Sequence, residues 1–328
     1  MSKMVKEVEI KVNGGPEKMA WKTCELEKLK PGQVTIKHTF VGLNFIDTYH
    51  RSGLYPLPLP SKLGMEGAGV IIDKHSDVDE YEIGDRVAYV MVLGSYSTHR
   101  NIEANKLVKI PEKITDQQAS AVLLKGMTVE YLVERLFKIN DNHTVLLHAA
   151  AGGVGLLACQ WIKQLGARII GTVGTEEKAL LAKQNGCDDV ILYKNEDFVE
   201  KVKHLTDGEG VNVVYDGVGK DTAIAGLDCL KPLGTMVVFG NSSGNCPPVD
   251  PGLLASKGSL FFTRPTLMTY GTKKQDLLHS SKRVFDMVSK DKIKLEINTS
   301  YNLSNVSKAH SDLESRKTFG SVIMENDY

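Results

Sequence analysis

Cysteine is scarce in this chain of 328 residues, and its five copies are scattered. They stand at positions that form no CxxC pair: Cys24, Cys159, Cys187, Cys229 and Cys246. The spacing therefore suggests no disulfide framework. Free thiols of this kind are typical of a reducing compartment, so we expect a cytoplasmic location.

An excess of one charge is also missing, and so is a long apolar run. Forty basic residues balance forty acidic ones, which makes nucleic acid an unlikely ligand and gives no general attraction to anionic membranes. The longest apolar stretch contains three glycines, His148 and Gln160, so we expect no membrane span. The first twelve residues alternate like a strand and lack the apolar centre of a signal peptide.

The most informative stretch that is present is TVLLHAAAGGVGLLACQWIKQLG, at 144–166. An apolar run leads into Gly152, Gly153 and Gly155, and a helical pattern follows, which predicts a strand, a tight turn and a helix. Such a turn directs backbone N–H groups and a helix N-terminus at one point, where a pyrophosphate can bind. The first glycine of the usual dinucleotide motif is Ala150 here. Taken alone, the motif is equally compatible with a tight turn that binds nothing.

The next predicted strand, Ala167–Val173, ends where NAD-dependent enzymes place an acidic residue that accepts a hydrogen bond from the ribose 2′-hydroxyl. The residue here is Gly174, which leaves room for a 2′-phosphate. Thr175 and Lys178 follow it, and Tyr193 ends a third strand, so three polar groups could converge on that phosphate. We therefore expect NADPH as the cofactor. The alternative for Lys178 is an exposed helix face.

Further strands at Val211–Tyr215 and Thr235–Gly240 continue the alternation with helices, which predicts a doubly wound parallel sheet in an α/β fold. The first 125 or so residues instead read as short strands separated by turns. A helix near Lys274–Lys290, a second at Val306–Ser315 and a last strand at Gly320–Met324 close the chain. We expect a Rossmann NADPH-binding domain at 126–265 and a β-rich catalytic domain at 1–125 and 266–328.

Several motifs together resemble the zinc-independent, zeta-crystallin-like quinone oxidoreductases of the medium-chain dehydrogenase/reductase superfamily. They run along almost the whole chain and include GLNFIDTYHRSGLYP at 42–56, GMEGAGV at 64–70, LLKGMTVEYLV at 123–133, the glycine turn, FGNSSG at 239–244, FFTRPTL at 261–267 and LESRKTFG at 313–320. The resemblance implies a GroES-like domain around a central Rossmann domain, and a homodimer. Ser259–Phe262 is then a candidate dimer edge, with an ordinary internal strand as the alternative.

The resemblance also carries over site residues. It places Asn44 near the nicotinamide and Tyr49 and Tyr55 beside the quinone, and we take these three as the candidate catalytic residues. Together with the residues read from the motifs, the expected cofactor-binding set is Phe45, Ile46, Asp47, Thr48, Thr128, Tyr131, Gly152, Gly153, Val154, Gly174, Thr175, Lys178, Tyr193, Phe239, Gly240, Asn241, Ser242, Phe262, Thr263, Arg264 and Arg316. Core packing remains the alternative for each tyrosine, backbone bonding for Asp47 and a surface ion pair for Arg316.

Zinc-dependent members of the superfamily bind a catalytic zinc through a cysteine and a histidine, and the corresponding positions here are Asn44 and Met65. An amide oxygen and a thioether are poor zinc ligands, so we expect no metal. Hydride transfer without a Lewis acid favours an acceptor that is already electrophilic. The expected reaction is therefore NADPH-dependent reduction of a quinone, with positioned donors for the charge that develops on a quinone oxygen.

Two other functions fit the same sequence. One is NADPH-dependent reduction of activated alkenes such as enones or enals, for which the same fold and cofactor site would serve. The other is a cofactor-binding protein with an RNA-associated or structural role, against which the neutral charge and the lack of an RNA-recognition motif count.

Overall fold

The structure is a computed structural model that describes residues 3–328. The chain forms two compact units. The first comprises the chain up to Met127 together with Gly271–Asp291 and Leu295–Tyr328, and the second comprises Thr128–Tyr270 with Lys292–Lys294. Whether the predicted boundaries near residues 125 and 265 delimit independently folding domains stays a prediction.

The second unit is built on a six-stranded parallel sheet. Its strands are β9 (Thr144–His148), β10 (Arg168–Val173), β11 (Asp189–Leu192), β12 (Val211–Asp216), β13 (Leu230–Val238) and β14 (Phe261–Thr263). They lie in the order β11-β10-β9-β12-β13-β14, with every neighbouring pair parallel. The strand order reverses between β9 and β12, which is the position where doubly wound sheets bind ligands. The predicted α/β fold with a Rossmann-type sheet is confirmed.

Helices connect these strands and cover the apolar residues of the sheet. They are α3 (Gly153–Gln164), α4 (Glu176–Gln184), α5 (Phe198–Leu205), α6 (Ala223–Gly226) and α7 (Pro251–Ser256), and a further short helix, α8 (Leu267–Gly271), follows β14. The strands are buried on both faces, as β9 shows with Val145, Leu146 and Leu147 all fully buried. Two-sided burial explains why they read as continuous apolar runs rather than alternating ones.

The first unit contains two sheets. The larger has the strand order β15-β16-β3-β5-β6-β8, with β7 also paired to β3, and the smaller has the order β2-β1-β4. Their strands are β1 (Met4–Ile10), β2 (Ala20–Glu25), β3 (Gln33–Leu43), β4 (Ser61–Lys62), β5 (Glu66–Lys74), β6 (Arg86–Val90), β7 (His99–Glu103), β8 (Val108–Lys109), β15 (Thr299–Asn302) and β16 (Val322–Glu325). The GroES-like, β-rich character predicted for this part is confirmed.

The main helices of the first unit are α1 (Phe45–Ser52), α2 (Asp116–Glu130), α9 (Lys274–Ser289) and α10 (Val306–Glu314), of which α2 belongs to it only in part. Helix α2 starts in the first unit and continues in the second as a π-helical segment, Tyr131–Leu136. No helix within residues 3–328 is long and apolar enough to cross a membrane.

Several strand boundaries predicted from the sequence were wrong, including that of the last strand, predicted at Gly320–Met324 and found at Val322–Glu325. The strand predicted from Thr235 begins at Leu230, although Leu233 within it has a positive φ of 62°. The strand predicted at Ser259–Phe262 is β14 at Phe261–Thr263, because Ser259 has a positive φ of 56° and completes the turn that precedes the strand. Strand β14 is an edge strand of its sheet.

Candidate active site

The turn between β9 and α3 has the geometry of an anion-binding site. Gly152 is the N-cap of α3, and its own backbone is extended, with a φ of −77° and a ψ of 173°. The helix that starts at Gly153 presents its first N–H groups and the positive end of its dipole. A Cβ placed on Gly152 would meet a single protein atom, the Ala149 carbonyl oxygen at 3.2 Å. The space beside this glycine is therefore open to a ligand.

Gly155 is required for a different reason. A Cβ placed there would collide with the Ala149 carbonyl oxygen and would lie 2.6 Å from the Ala150 carbonyl carbon. The helix thus approaches the end of β9 closely only because this residue has no side chain, which is the packing role of the third glycine in dinucleotide-binding turns.

The alanine at the first motif position is accommodated by a neighbouring strand. Ala150 is fully buried, and a Cβ on Gly171 of β10 would lie 2.7 Å from the Ala150 methyl group. Gly171 therefore provides the space that the turn loses when glycine is replaced by alanine. The unusual motif retains the geometry of the turn.

The end of β10 gathers the residues predicted to contact a 2′-phosphate. Thr175 is the N-cap of α4, and its hydroxyl oxygen accepts a hydrogen bond from the Lys178 backbone N–H at 3.3 Å. A Cβ on Gly174 would lie 2.8 Å from the Tyr193 hydroxyl oxygen. Gly174, Thr175, Lys178 and Tyr193 thus share one region at the carboxyl edge of the sheet.

The ends of β12 and β13 approach each other equally closely. A Cβ on Gly240 would lie 2.5 Å from the Gly217 carbonyl oxygen, and the Ser242 N–H donates to that same oxygen at 3.2 Å. Asp216, which ends β12, is fully buried and accepts hydrogen bonds from the Val218 N–H at 2.6 Å and from the Thr222 hydroxyl at 2.8 Å. Asp216 therefore fixes this loop rather than binding a ligand.

His148 at the end of β9 is buried directly before the glycine turn. Its Nδ1 lies 2.9 Å from the Thr172 hydroxyl, and its ring packs edge-on against Phe198. Burial lowers the pKa of His148, so the imidazole is neutral. Its role here is to support the turn.

The other predicted cofactor residues of the second unit have varied surroundings. The Tyr131 ring is buried and stacks on Tyr270, with ring centroids 4.4 Å apart. Thr128 and Asn241 are buried, whereas Arg264 is exposed and donates to the Pro265 carbonyl. Val154, Phe239, Phe262 and Thr263 are in or next to the strand ends already described: Val154 in the first turn of α3, Phe239 directly after β13, Phe262 and Thr263 in β14. Phe45, Ile46, Asp47, Thr48 and Arg316 belong to the first unit.

Helix α1 in the first unit is held at its N-terminus by Asn44 and Asp47. The Asn44 backbone N–H donates to Asp47 Oδ2 at 2.9 Å. Asn44 is the N-cap and Asp47 the third residue of the helix, and side chains at that third position commonly accept this bond. The Tyr96 hydroxyl donates to the same oxygen at 2.8 Å, while no donor within residues 3–328 reaches Asp47 Oδ1. Asp47 is fully buried, and burial raises its pKa to about 7.

A chain of buried hydrogen bonds continues from Tyr96 to helix α10. The Tyr96 hydroxyl lies 3.1 Å from His310 Nε2, and Arg51 donates to His310 Nδ1 at 2.9 Å and to Glu314 at 2.6 Å. Burial, together with the Arg51 charge, lowers the pKa of His310 to about 3. His310 is therefore neutral, and Arg51 ends the chain as a hydrogen-bond donor.

The side chain of Asn44 belongs to a second buried cluster. Its Nδ2 donates to Glu66 Oε2 at 2.9 Å, and the Leu124 backbone N–H donates to Glu66 Oε1 at 2.7 Å. Lys125 Nζ lies 3.6 Å from Glu66 Oε2. We call Asn44, Glu66 and Lys125 the amide–carboxylate–lysine cluster. Sequence reasoning missed Glu66 and Lys125 because their importance arises from contacts between distant segments.

The candidate catalytic tyrosines form an aromatic group with their neighbours on α1. Tyr49 and Tyr55 pack edge-on with ring centroids 5.1 Å apart, and His50 lies edge-on to Tyr55 at 6.1 Å. Tyr49 is buried and Tyr55 is partly exposed. The two rings predicted to border the quinone are thus adjacent in the structure, in the segment that follows Asn44.

The two positions that correspond to zinc ligands are both buried. The Asn44 amide is bonded to Glu66, and Met65 precedes β5 with 5% of its surface exposed. Within residues 3–328, no group of three or more histidine, cysteine, aspartate or glutamate side chains could hold a metal ion.

Comparison with known proteins gives consistent results for both units. Residues 30–112 match the family described as alcohol dehydrogenase GroES-like domain, and residues 153–277 match the family described as zinc-binding dehydrogenase. A quinone oxidoreductase of Pseudomonas aeruginosa is 44% identical over 98% of this chain and 99% of its own. A 2-haloacrylate reductase of a Burkholderia species is 38% identical over 98% of this chain and 99% of its own.

A solved structure is similar to this chain over almost its whole length. The crystal structure of Escherichia coli quinone oxidoreductase complexed with NADPH is 45% identical, with a TM-score of 0.93 over 98% of this chain and all of that chain.

Proposed function

Because this chain belongs to the quinone oxidoreductase family of the medium-chain dehydrogenase/reductase superfamily, we propose that it is an enzyme that transfers a hydride from NADPH to a quinone. The observation that carries this proposal is the glycine turn of β9 and α3 together with the polar group at the end of β10. The turn provides space and N–H donors for a pyrophosphate. Gly174 carries no acidic side chain that would repel a phosphate on the ribose. NADPH-dependent quinone reduction is the activity of this chain.

The residues present fit NADPH. Gly152, Gly153 and Val154 would bind the pyrophosphate through backbone N–H groups, since Gly152 has an open side and the helix dipole favours an anion. Thr175, Lys178 and Tyr193 would bind the 2′-phosphate. The remaining predicted contacts, from Thr128, Tyr131, Phe239–Ser242, Phe262–Arg264, Phe45–Thr48 and Arg316, complete the proposed cofactor-binding set. The bound cofactor would supply a hydride from its nicotinamide ring.

For the quinone we propose a position beside Asn44, Tyr49 and Tyr55 in the first unit. Adjacent aromatic rings offer flat apolar contact for a flat ring, and their phenol groups offer hydrogen bonds. Asn44 is buried and held by Glu66, so it contributes a fixed polar group. The protein's task is to hold the acceptor in place and to stabilise the negative charge that appears on its oxygen.

We further propose that the reaction needs no metal. Support comes from the chemistry of the side chains, because the Asn44 amide and the Met65 thioether replace the thiolate and imidazole that bind zinc well. Activity that persists in a chelator, with no zinc in the purified protein by elemental analysis, would support this. Loss of activity that zinc restores would refute it.

A homodimer and a cytoplasmic location complete the proposal. Strand β14 is the last strand of its sheet and carries the exposed Phe261, which suits pairing with a second copy. Light scattering of the wild type and of Phe261→Lys would test this, since we expect only the variant to be monomeric. All five cysteines are free thiols, which is usual in the reducing cytoplasm and can be checked by cell fractionation.

Reduction of activated alkenes is the less favoured alternative. The 2-haloacrylate reductase named above shows that a relative of this chain acts on such a substrate class, but its identity of 38% is below the 44% of the quinone oxidoreductase. A cofactor-binding protein with an RNA-associated or structural role is less favoured again, because the chain has no net charge.

Steady-state oxidation of NADPH and of NADH by the purified protein tests the main proposal. Each cofactor is offered with an ortho-quinone, with an enone and with no acceptor, and a chelator is present throughout. We expect turnover with the quinone and a strong preference for NADPH. Faster turnover of the enone would favour the alkene reductase, and tight NADPH binding with no acceptor reduced would favour the binding role.

A further inference from the structure

Lys125 is a buried lysine whose donors have no acceptor among the described residues. Its side chain is 6% exposed, and no acceptor within residues 3–328 lies within hydrogen-bonding distance of Nζ. Burying an ammonium group costs free energy unless its N–H groups find partners. A lysine in this environment therefore needs an explanation beyond packing.

Glu66 balances the charge of Lys125 without satisfying its donors. Its Oε1 accepts from the Leu124 N–H at 2.7 Å and its Oε2 from Asn44 Nδ2 at 2.9 Å, while Lys125 Nζ stays 3.6 Å away. Both carboxylate oxygens are thus occupied by shorter, better-placed donors. The lysine thus lies beside a carboxylate and still has N–H groups to offer to a further acceptor.

The cluster is held rigidly by the elements around it. Gly42 of β3 has no side chain, and a Cβ there would collide with the Glu66 carboxylate and lie 2.5 Å from the Ser120 carbonyl oxygen. On the other side of α2, a Cβ on Gly126 would lie 2.7 Å from Val284 of α9. Because α2 is packed closely between its neighbours, Lys125 is mounted on a fixed support, as a donor that acts on a transition state should be.

We propose that Lys125 Nζ donates a hydrogen bond to the quinone oxygen on which negative charge develops. The inference rests on the proposed function and deepens it, because it names the group that takes over the task of a metal Lewis acid. Lys125 is next to the Asn44 position, and one of the two Asn44 Nδ2 N–H groups is already bonded to Glu66. A cationic donor also stabilises an oxyanion more than a neutral phenol does.

The step balances without a further reagent. The C4–H bond of the reduced nicotinamide breaks with its electron pair, a new bond to hydrogen forms on the quinone, and NADP⁺ remains. The transferred electron pair gives the reduced quinone a negatively charged oxygen. Lys125 stabilises this oxygen by its hydrogen bond. Water then supplies the proton that completes the hydroquinone, so Lys125 itself stays protonated.

Lys125→Met tests the inference, because methionine is close in size and has no charge. We expect kcat for quinone reduction to fall about 100- to 1,000-fold, the range seen when one donor to a developing oxyanion is removed. The Kd for NADPH should change less than about twofold. The loss of kcat should grow along a series of quinones with electron-donating substituents, since their anions need more stabilisation. Deuterium at C4 of NADPH should slow the variant more than it slows the wild type.

Two further variants keep the test decisive. Lys125→Arg retains the charge but replaces the compact ammonium, so we expect correct folding and an intermediate loss of about tenfold. Lys113→Met removes an exposed lysine and should leave kcat unchanged.

A kcat of Lys125→Met within threefold of the wild type, or a loss of the same size for every quinone, would overturn the inference. If Lys125→Met fails to fold, wild-type kcat in Lys125→Arg would overturn it instead. A wild-type protein that reduces no quinone would refute the proposed function, which is a separate outcome.

Discussion

The two units build their candidate binding residues in opposite ways. In the second unit the cofactor region consists mostly of backbone, shaped by glycines at positions where any side chain would collide or fill the space. In the first unit the proposed substrate region consists of buried side chains that hold one another through hydrogen bonds, such as Asn44 on Glu66 and Tyr96 on Asp47. A site made of backbone tolerates changes in side-chain chemistry but not in side-chain volume. A site made of side chains tolerates changes in volume better than changes in chemistry.

Among the substitutions that test this contrast between the units, we expect Gly155→Val to have the largest effect. The new side chain would collide with the Ala149 and Ala150 backbone, so α3 must move away from β9. We expect at least a hundredfold increase in the Kd for NADPH and a loss of about 3 kcal/mol or more in the free energy of unfolding. Titration calorimetry and urea unfolding measure the two quantities.

Gly208→Ala is the matched control for that variant. A Cβ on Gly208 meets no atom within 4 Å, and only its positive φ of 83° opposes the change. It should cost about 1 kcal/mol of stability and leave NADPH binding intact. Equal effects of the two substitutions would show that close packing is not what the turn requires.

Asp47→Asn would test the side-chain network of the first unit. Burial raises the pKa of Asp47 to about 7 from an ordinary value near 3.8. The folded state thus binds a proton that the unfolded state has lost, and stability falls as pH rises between these two values. Asparagine keeps an acceptor for the Asn44 N–H and Tyr96 hydroxyl but cannot ionise. Between pH 5 and pH 8 the wild type should lose about 2–3 kcal/mol more than the variant.

Urea unfolding at both pH values measures that difference. Asp221→Asn is the control, because Asp221 is exposed and should leave the pH dependence unchanged. Parallel stability curves for the wild type and Asp47→Asn would mean that Asp47 ionises normally in the folded protein.

Lys178→Ala should have the smallest effect, and it would sharpen the comparison because Lys178 is a side chain in a region made mostly of backbone. We expect the Kd for NADPH to rise about 10- to 100-fold, as for the loss of one charge-assisted hydrogen bond, and the Kd for NADH to rise less than about twofold. Lys183→Ala, on an exposed position of the same helix, should change neither value. Equal losses for both cofactors would remove the 2′-phosphate assignment.

The contrast between the units also explains what the sequence could predict. The turn of β9 and α3 lies within a dozen residues, and its glycines are required by local geometry, so the fold and the shape of this turn were predictable. Even the replacement of the first glycine by Ala150 did not obscure the turn, because Gly171 compensates for it in space.

The hydrogen-bond network of the first unit could not be predicted from the sequence, and the residues proposed to bind the substrate rest on resemblance alone. Tyr96 and Asp47 are 49 positions apart, Tyr96 and His310 are 214, and Arg51 and Glu314 are 263. No periodicity or motif indicates such pairs, since tertiary packing alone brings them together. The resemblance named Asn44, Tyr49 and Tyr55 but not Glu66, Lys125, Tyr96 or His310, which the geometry adds.

The closeness of Gly174 and Tyr193 limits how this enzyme could evolve towards NADH. A switch of coenzyme would first require an acidic side chain at position 174, yet a Cβ there would lie 2.8 Å from the Tyr193 hydroxyl and 3.2 Å from its ring carbon. Any single substitution at 174 therefore displaces the phenol before a new preference is gained. In the proposed site the two positions are therefore coupled, and a change of coenzyme would require a change at Tyr193 as well.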